Sequence, residues 1–406
     1  MAFKQEAREH FPQWPQLDKE DYDAVKAVLD SKQLWCGAPA THKGEFVWKF
    51  QKEFAEFLGA KHCYAVTNGT HAIEVALMAL DIGLGDEVIV PEYTFVATGS
   101  AVVAVNAVPI FCDAHPRTFN IDESKIEPLI TPRTKAIICV HLGGVPCNMD
   151  KIMAIAKKYK LKVIEDCAHA HGGKYKGKRL GTIGDVGTFS FQASKVLACG
   201  EGGAITCMDD KVGEKIYGIA DAGRRVGEYF YNHYIPSSNY RLGEFQAAIL
   251  CSQLKKFKEQ HVIRNKNVEY LRAKIDKIDG MFMQAKPEGA EECGYYVVGV
   301  KFDPAKFNNI TKKDFYNKLN AAGVPTDDCY PPLHSLTCFK EGKGKKGVDY
   351  SKANWGGAKS DDKNFPVVTD IFNHSFEFPQ EMFLVKNQKD LDYVVDVIVK
   401  IKEGKL

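Results

Sequence analysis

Between about Gly59 and Met208 short β-rich runs alternate with helical stretches, and this alternation constrains the fold more than any other feature. The runs are HCYAV (62–66), EVIV (87–90), VPIF (108–111), AIICV (136–140), LKVIE (161–165), VGTFSF (186–191) and AITCM (204–208). Helical spacing separates several of them. In 70–80, Ile73, Ala76, Leu77 and Leu80 fall on one face, and in 149–159 Ile152, Ile155 and Ala156 do the same. Strand and helix in alternation predict a mainly parallel sheet with helices on both faces, an α/β fold. The apolar stretch 95–111 is broken by Thr98, Gly99, Ser100, Asn106 and Pro109, so it reads as a helix followed by a strand rather than a membrane span.

After Met208 the pattern changes. Residues 241–278 read as a long, interrupted helix that connects two domains, followed by a strand (295–302), a helix (312–323), a polar loop (340–365) and a final helix (387–402). A chain of 406 residues exceeds what one compact core serves. The expectation is a large domain, 1–255, with an N-terminal arm, and a small C-terminal α/β domain, 256–406.

Composition narrows the function. Lys+Arg 54 against Asp+Glu 52 gives no electrostatic case for nucleic acid. The short run KEGKGKK (340–346) reads as a solvated loop. The 12 cysteines are scattered without a C-x-x-C pair, and several sit in apolar runs, so they read as core residues of a protein in a reducing cytoplasm. The N-terminal residues lack an apolar signal segment, and no membrane partner is expected.

In open parallel sheets ligands bind at the carboxyl ends of the strands. After the first run comes TNGTH (67–71), where a glycine and a hydroxyl residue open a helix and offer amides to an anion; an ordinary N-cap has the same composition. After LKVIE comes Asp166, in EDCAHAHGG, a carboxylate that a doubly covered strand end tolerates only opposite a cation. A loop cap, or a metal held by Asp166, His169 and His171, are the rival readings, although the pattern matches no usual metal site. The densest signal is TFSFQASKVLACGEGG (188–203). A strand ends at Ser190, Lys195 follows five positions later, and a glycine-rich turn returns the chain. A lysine enclosed in this way can be desolvated and made nucleophilic.

The set NGT, PEYTF, EDCAHAHGG, SFQASK…GEGGA and SNYRLGEFQAA, in this order, resembles the DegT/StrS-type sugar aminotransferases, which are fold type I enzymes of pyridoxal 5'-phosphate (PLP). Within that family it is most similar to the branch holding glutamine:scyllo-inosose aminotransferase and 3-amino-5-hydroxybenzoate synthase. The resemblance implies that Lys195 carries the cofactor as a Schiff base and shuttles a proton. It also implies that Asp166 holds the pyridine nitrogen protonated, Phe95 stacks on the ring, and His169 meets its phenolic side. Ser190, Thr70 and the amides around Gly69 and His71 are then the phosphate ligands. Asn239 is expected to reach the phosphate of a neighbouring subunit, which makes the enzyme a homodimer with a shared site. Trp35, Arg241, Tyr330 and His334 are expected to line the substrate pocket.

The implied reaction moves an amino group from L-glutamine or L-glutamate, through pyridoxamine 5'-phosphate, to a small-molecule ketone. That ketone is a nucleotide-linked keto-sugar or a keto-cyclitol. The alternatives are an aromatising dehydratase of the aminohydroxybenzoate type and a non-catalytic regulator on the same fold. The donor carboxylate is expected to meet Arg224, Arg225 or Arg241.

Overall fold

The computed structural model describes residues 11–36, 44–341, 348, 350, 353–354 and 360–406. Gly37 of the LWCG segment and most of the lysine-rich run 340–346 lie outside them. In the first part of the chain the strands are β1 (His62–Val66), β2 (Glu87–Pro91), β3 (Val108–Cys112), β4 (Thr134–Val140), β5 (Lys162–Asp166), β6 (Lys174–Tyr175), β7 (Lys178–Arg179), β8 (Val186–Ser190) and β9 (Gly203–Cys207). The remainder holds β10 (Met281–Met283), β11 (Ala290–Glu292), β12 (Val297–Phe302), β13 (Asp327–Asp328) and β14 (Ser375–Pro379).

Seven strands form the central sheet in the order β1-β9-β8-β5-β4-β2-β3. The β2–β3, β2–β4, β4–β5 and β5–β8 pairs are parallel, and only β9 runs against its neighbours. Every residue of β2, β3, β8 and β9 is buried, which is why these strands read as continuous apolar runs rather than alternating ones. All seven anticipated strands are present, each within two residues of its expected ends. The helices Gly69–Ala79, Val96–Ala104 and Met149–Tyr159 lie where helical spacing placed them.

One covering helix, Phe46–Leu58, was not singled out in the sequence. Val47, Phe50, Phe54 and Leu58 are its buried face, and Gly59 ends it in the left-handed conformation (φ 73°). Phe54 packs on Phe50, Phe189 and Phe191 with ring centroids 5.0–5.5 Å apart, which fastens this helix to the strand that leads to Lys195.

The second sheet, β10-β12-β14-β13, is antiparallel, and β6, β7 and β11 form a small third one. The connecting helix Glu244–Ile275 runs uninterrupted for 32 residues. Here the expectation of a break fails, because the segment contains no glycine or proline and both its halves are packed. Leu250, Leu254 and Phe257 belong to the first core, whereas Val268, Leu271 and Ile275 belong to the second. The expected division at 255/256 thus falls inside a helix, and the change of core comes between Phe257 and Val268.

The described residues between 329 and 371 also return to the first core, through Cys329, Leu333, Phe339, Phe365 and Val368. A buried polar clamp pins this segment just past β2. Glu92 Oε1 accepts the backbone N–H of His334 at 2.7 Å and faces its Nδ1, while His334 Nε2 meets Asp362 Oδ1 at 2.9 Å. Burial works against the charged imidazole, but the two carboxylates facing its ring nitrogens outweigh it and raise the His334 pKa. Because Glu92 and His334 are fully buried, removing the imidazole strands a carboxylate in the interior. His334→Ala should therefore lower the unfolding free energy by about 3–5 kcal/mol, read from denaturant unfolding.

Candidate active site

The carboxyl ends of β1, β2, β5 and β8 open on one cavity of about 520 Å³. Of the residues singled out in the sequence, Gly69, Thr70, His71, Phe95, Asp166, His169, Ser190, Lys195 and Tyr330 line it. Trp35, Asn239, Arg241 and His334 do not.

One wall is built for an anion. Asn68 caps the helix Gly69–Ala79 by accepting the His71 N–H on its side chain at 2.8 Å. That uses the His71 amide, and leaves the Gly69 and Thr70 amides without a helical acceptor. Gly69 is required here, since a Cβ would lie 2.7 Å from the Ser190 Cβ. The absence of that carbon brings the helix start against the end of β8, so amides and hydroxyls converge.

Asp166 ends β5 and is buried. Its Oδ1 accepts the Ala168 N–H at 3.1 Å and its Oδ2 the Thr98 hydroxyl at 3.0 Å; Thr94 Oγ1 lies 3.0 Å behind Thr98. Burial raises its pKa, against the lowering effect of those two bonds and of Lys195. The carboxylate lacks a close cationic partner within the described chain. Thr98 carries no sequence signal, because a threonine in a buried helix looks like any other core residue.

Lys195 sits in the turn between β8 and β9. Its N–H donates to the Gln192 carbonyl at 2.8 Å, and Gly200 (φ 96°) allows the chain to fold back toward β9. Val196 and Leu197 anchor the turn in the core. Among the described residues, the Lys195 amine has no hydrogen bond or ion pair, and it lies 3.9 Å from the centre of the Tyr296 ring. Burial lowers its pKa to about 7, against the opposing pull of Asp166 and Glu377.

His169 is also buried, and desolvation with the nearby Lys195 charge keeps it well below the usual imidazole pKa. Its Nδ1 accepts the Gly143 N–H at 3.2 Å, so the ring proton is on Nε2, 3.4 Å from the Tyr330 hydroxyl. His171 points elsewhere, between the Phe189 and Phe191 rings, so Asp166, His169 and His171 do not form a metal grouping. Phe95, half exposed, tilts toward Tyr330 with centroids 5.7 Å apart.

The remaining expectations are redistributed. His334 is not a pocket residue but the buried partner of Glu92, because two carboxylates outcompete the cavity for its ring. Trp35 is 40% exposed and lies against Phe230 and Arg241. Arg241 and Arg224 both bind Asp221 Oδ1, at 2.6 and 3.0 Å. Arg225 is exposed and packs on Tyr234. Asn239 is exposed outside the cavity of its own chain, with its side chain accepting the Arg241 N–H.

The chain is similar to known proteins over most of its length. The chain is 35% identical to the L-glutamine:2-deoxy-scyllo-inosose aminotransferase of Streptoalloteichus tenebrarius, over 80% of this chain and 79% of that protein. It is 36% identical to the GDP-perosamine synthase of Caulobacter vibrioides, over 79% and 84% of the respective chains. Among solved structures, 3-amino-5-hydroxybenzoic acid synthase superposes with a TM-score of 0.86 at 28% identity, over 98% of this chain and all of that one. Over residues 15–359 the chain matches the DegT/DnrJ/EryC1/StrS aminotransferase family, and it belongs to that family.

Proposed function

We propose that this chain is a PLP-dependent aminotransferase that takes an amino group from L-glutamine or L-glutamate. It delivers that group to the ketone of a nucleotide-linked keto-sugar or a keto-cyclitol. The observation that carries the reading is the Lys195 amine: buried, unpaired among the described residues, with a pKa near 7, and in one cavity with Asp166. The cavity fits the cofactor. An anion cradle lies at Gly69, Thr70 and Ser190, a half-exposed ring at Phe95, and a buried carboxylate in need of a cation at Asp166.

When bound, PLP supplies an electron sink for the carbanion formed at the substrate carbon. The protein's residues do the rest. Lys195, neutral in a large fraction at pH 7, attaches the cofactor and moves the proton. Asp166, oriented by Thr98 and the Ala168 amide, keeps the ring nitrogen protonated. His169 presents an Nε2–H donor at the phenolic oxygen.

No arginine lines the cavity among the described residues. We infer that the donor carboxylate is met by an arginine of a second subunit. Asp221 holds Arg224 and Arg241, which leaves Arg225 as the cation offered outward. The exposed group Val226, Tyr229, Tyr231 and Trp35 surrounds this region and suits burial against a second copy. Asn239, exposed in the same stretch and absent from the lining of its own cavity, is assigned in this reading to the phosphate of the partner. Relatives of nearly equal identity carry names for a cyclitol and for a sugar nucleotide, so both classes of ketone are kept in the proposal. Similarity to the aminohydroxybenzoate enzyme supports a second reading, an aromatising dehydratase. The donor reaction decides between them.

Adding L-glutamine or L-glutamate without a ketone should convert the cofactor spectrum to that of pyridoxamine phosphate. An unchanged spectrum with both donors favours the dehydratase. Lys195→Ala should slow this half-reaction by at least about a hundredfold; turnover at the original rate would remove Lys195 from the chemistry. Mixing inactive Lys195→Ala subunits with inactive Asn239→Asp subunits should return partial activity through hybrid dimers. No return after demonstrated subunit exchange contradicts a shared site.

A further inference from the structure

Tyr296 lies just before β12, in the smaller sheet, yet its ring reaches the cavity beneath Lys195. The amine is 3.9 Å from the ring centre, over the face, where the aromatic quadrupole is negative. No other described residue gives this nitrogen a hydrogen bond or an ion pair. A buried ammonium without compensation is strongly disfavoured, and here the ring face in contact with it adds to the more distant pull of Asp166 and Glu377.

The ring is held from every side. Its hydroxyl lies 2.8 Å from Ser194 Oγ, and Ser194 Oγ and N–H both donate to Gln192 Oε1, at 2.6 and 2.9 Å. These residues belong to the Lys195 turn, so lysine and tyrosine are tied to one another. The His169 ring packs against it, tilted by 39° with ring centroids 4.3 Å apart. The backbone leading to Tyr296 is equally fixed. Asn265 makes two hydrogen bonds with Cys293, the Gly294 N–H donates to the Gly144 carbonyl at 2.9 Å, and Tyr295 is kept in the left-handed region (φ 48°). A bulky residue adopts that conformation only where its surroundings enforce it. Burial raises the Tyr296 pKa, so the phenol stays neutral and is no competing base.

We propose that Tyr296 is a further catalytic residue: its ring face is the seat of the Lys195 ammonium whenever that nitrogen is not bonded to the cofactor, and Ser194 and Gln192 hold the ring in place. The inference rests on the reading of Lys195 as the proton-carrying lysine. In that reaction Lys195 takes a proton from the substrate carbon and must keep it, in a dry site, until the proton is delivered. A ring face stabilises the charge without accepting the proton, which a carboxylate at the same place would do.

The test is a titration of Lys195 in the full chain freed of cofactor. Acetic anhydride reacts with the neutral amine only, and peptide mass mapping reads modification at Lys195 as a function of pH. The wild-type midpoint is expected at about 7. Tyr296→Leu should move it down by about one unit, because the ammonium loses its support, whereas Tyr296→Phe, which keeps the ring, should leave it in place. Tyr296→pentafluorophenylalanine keeps the volume but reverses the ring quadrupole, and should also move the midpoint down; it serves if the leucine variant does not fold. A midpoint that stays or rises in a folded leucine or pentafluoro variant overturns the proposal, because the ring would then be no more than a water shield. The titration uses neither cofactor nor substrate, so its failure is distinct from failure of the donor half-reaction.

Discussion

The desolvation of one lysine is the constraint on which the rest of the site depends. An ammonium moved out of water loses several kcal/mol of solvation unless the site compensates it. Here compensation is incomplete: Asp166 and Glu377 act at a distance, Tyr296 acts through its ring face, and no ion pair is made among the described residues. The result is an amine near neutrality at physiological pH, which is what covalent capture of an aldehyde requires. Asp166 has the complementary problem, a buried carboxylate with two hydrogen bonds and no adjacent cation. A cofactor with a protonated ring nitrogen and a reactive carbonyl relieves both.

The architecture that imposes this burial is the parallel sheet. Its strands end on the same side, so loops distant in sequence share one cavity without any one of them having to bend far. The second sheet completes the site rather than standing apart from it. Tyr296 enters from the start of β12 and Tyr330 from just after β13, and the clamp of Glu92 on His334 fastens the Tyr330 segment beside Phe95. The long helix Glu244–Ile275 belongs to both cores and ties them together.

The sequence was legible where physics is local. Strands buried on both faces appear as apolar runs, and the helix Gly69–Ala79 shows its face by spacing. Lys195, Asp166, Gly69 and Ser190 were found because each follows a strand end, and the resemblance then gave them roles. What stayed hidden depends on contacts across the chain. Tyr296 looks like the second residue of an ordinary strand, 295–302, and nothing near it in sequence points to Lys195, 101 positions earlier. Thr98 and Glu92 are silent for the same reason. His334 was misplaced because a histidine beside Tyr330 looks like a pocket residue, and only the fold reveals Glu92 on its other side. The long helix does not break as expected, because its first half packs in one core and its second half in the other.

Lys195, among all the lysines of the chain, is the one expected to bind the cofactor. Borohydride reduction of the PLP-loaded protein, followed by proteolysis and mass spectrometry, tests it most directly. The expected result is one phosphopyridoxyl group per chain, on the peptide containing Lys195, with loss of absorbance at ~420 nm as the carbon–nitrogen double bond is reduced. A stoichiometric adduct on a different lysine, with Lys195 unmodified, would contradict it.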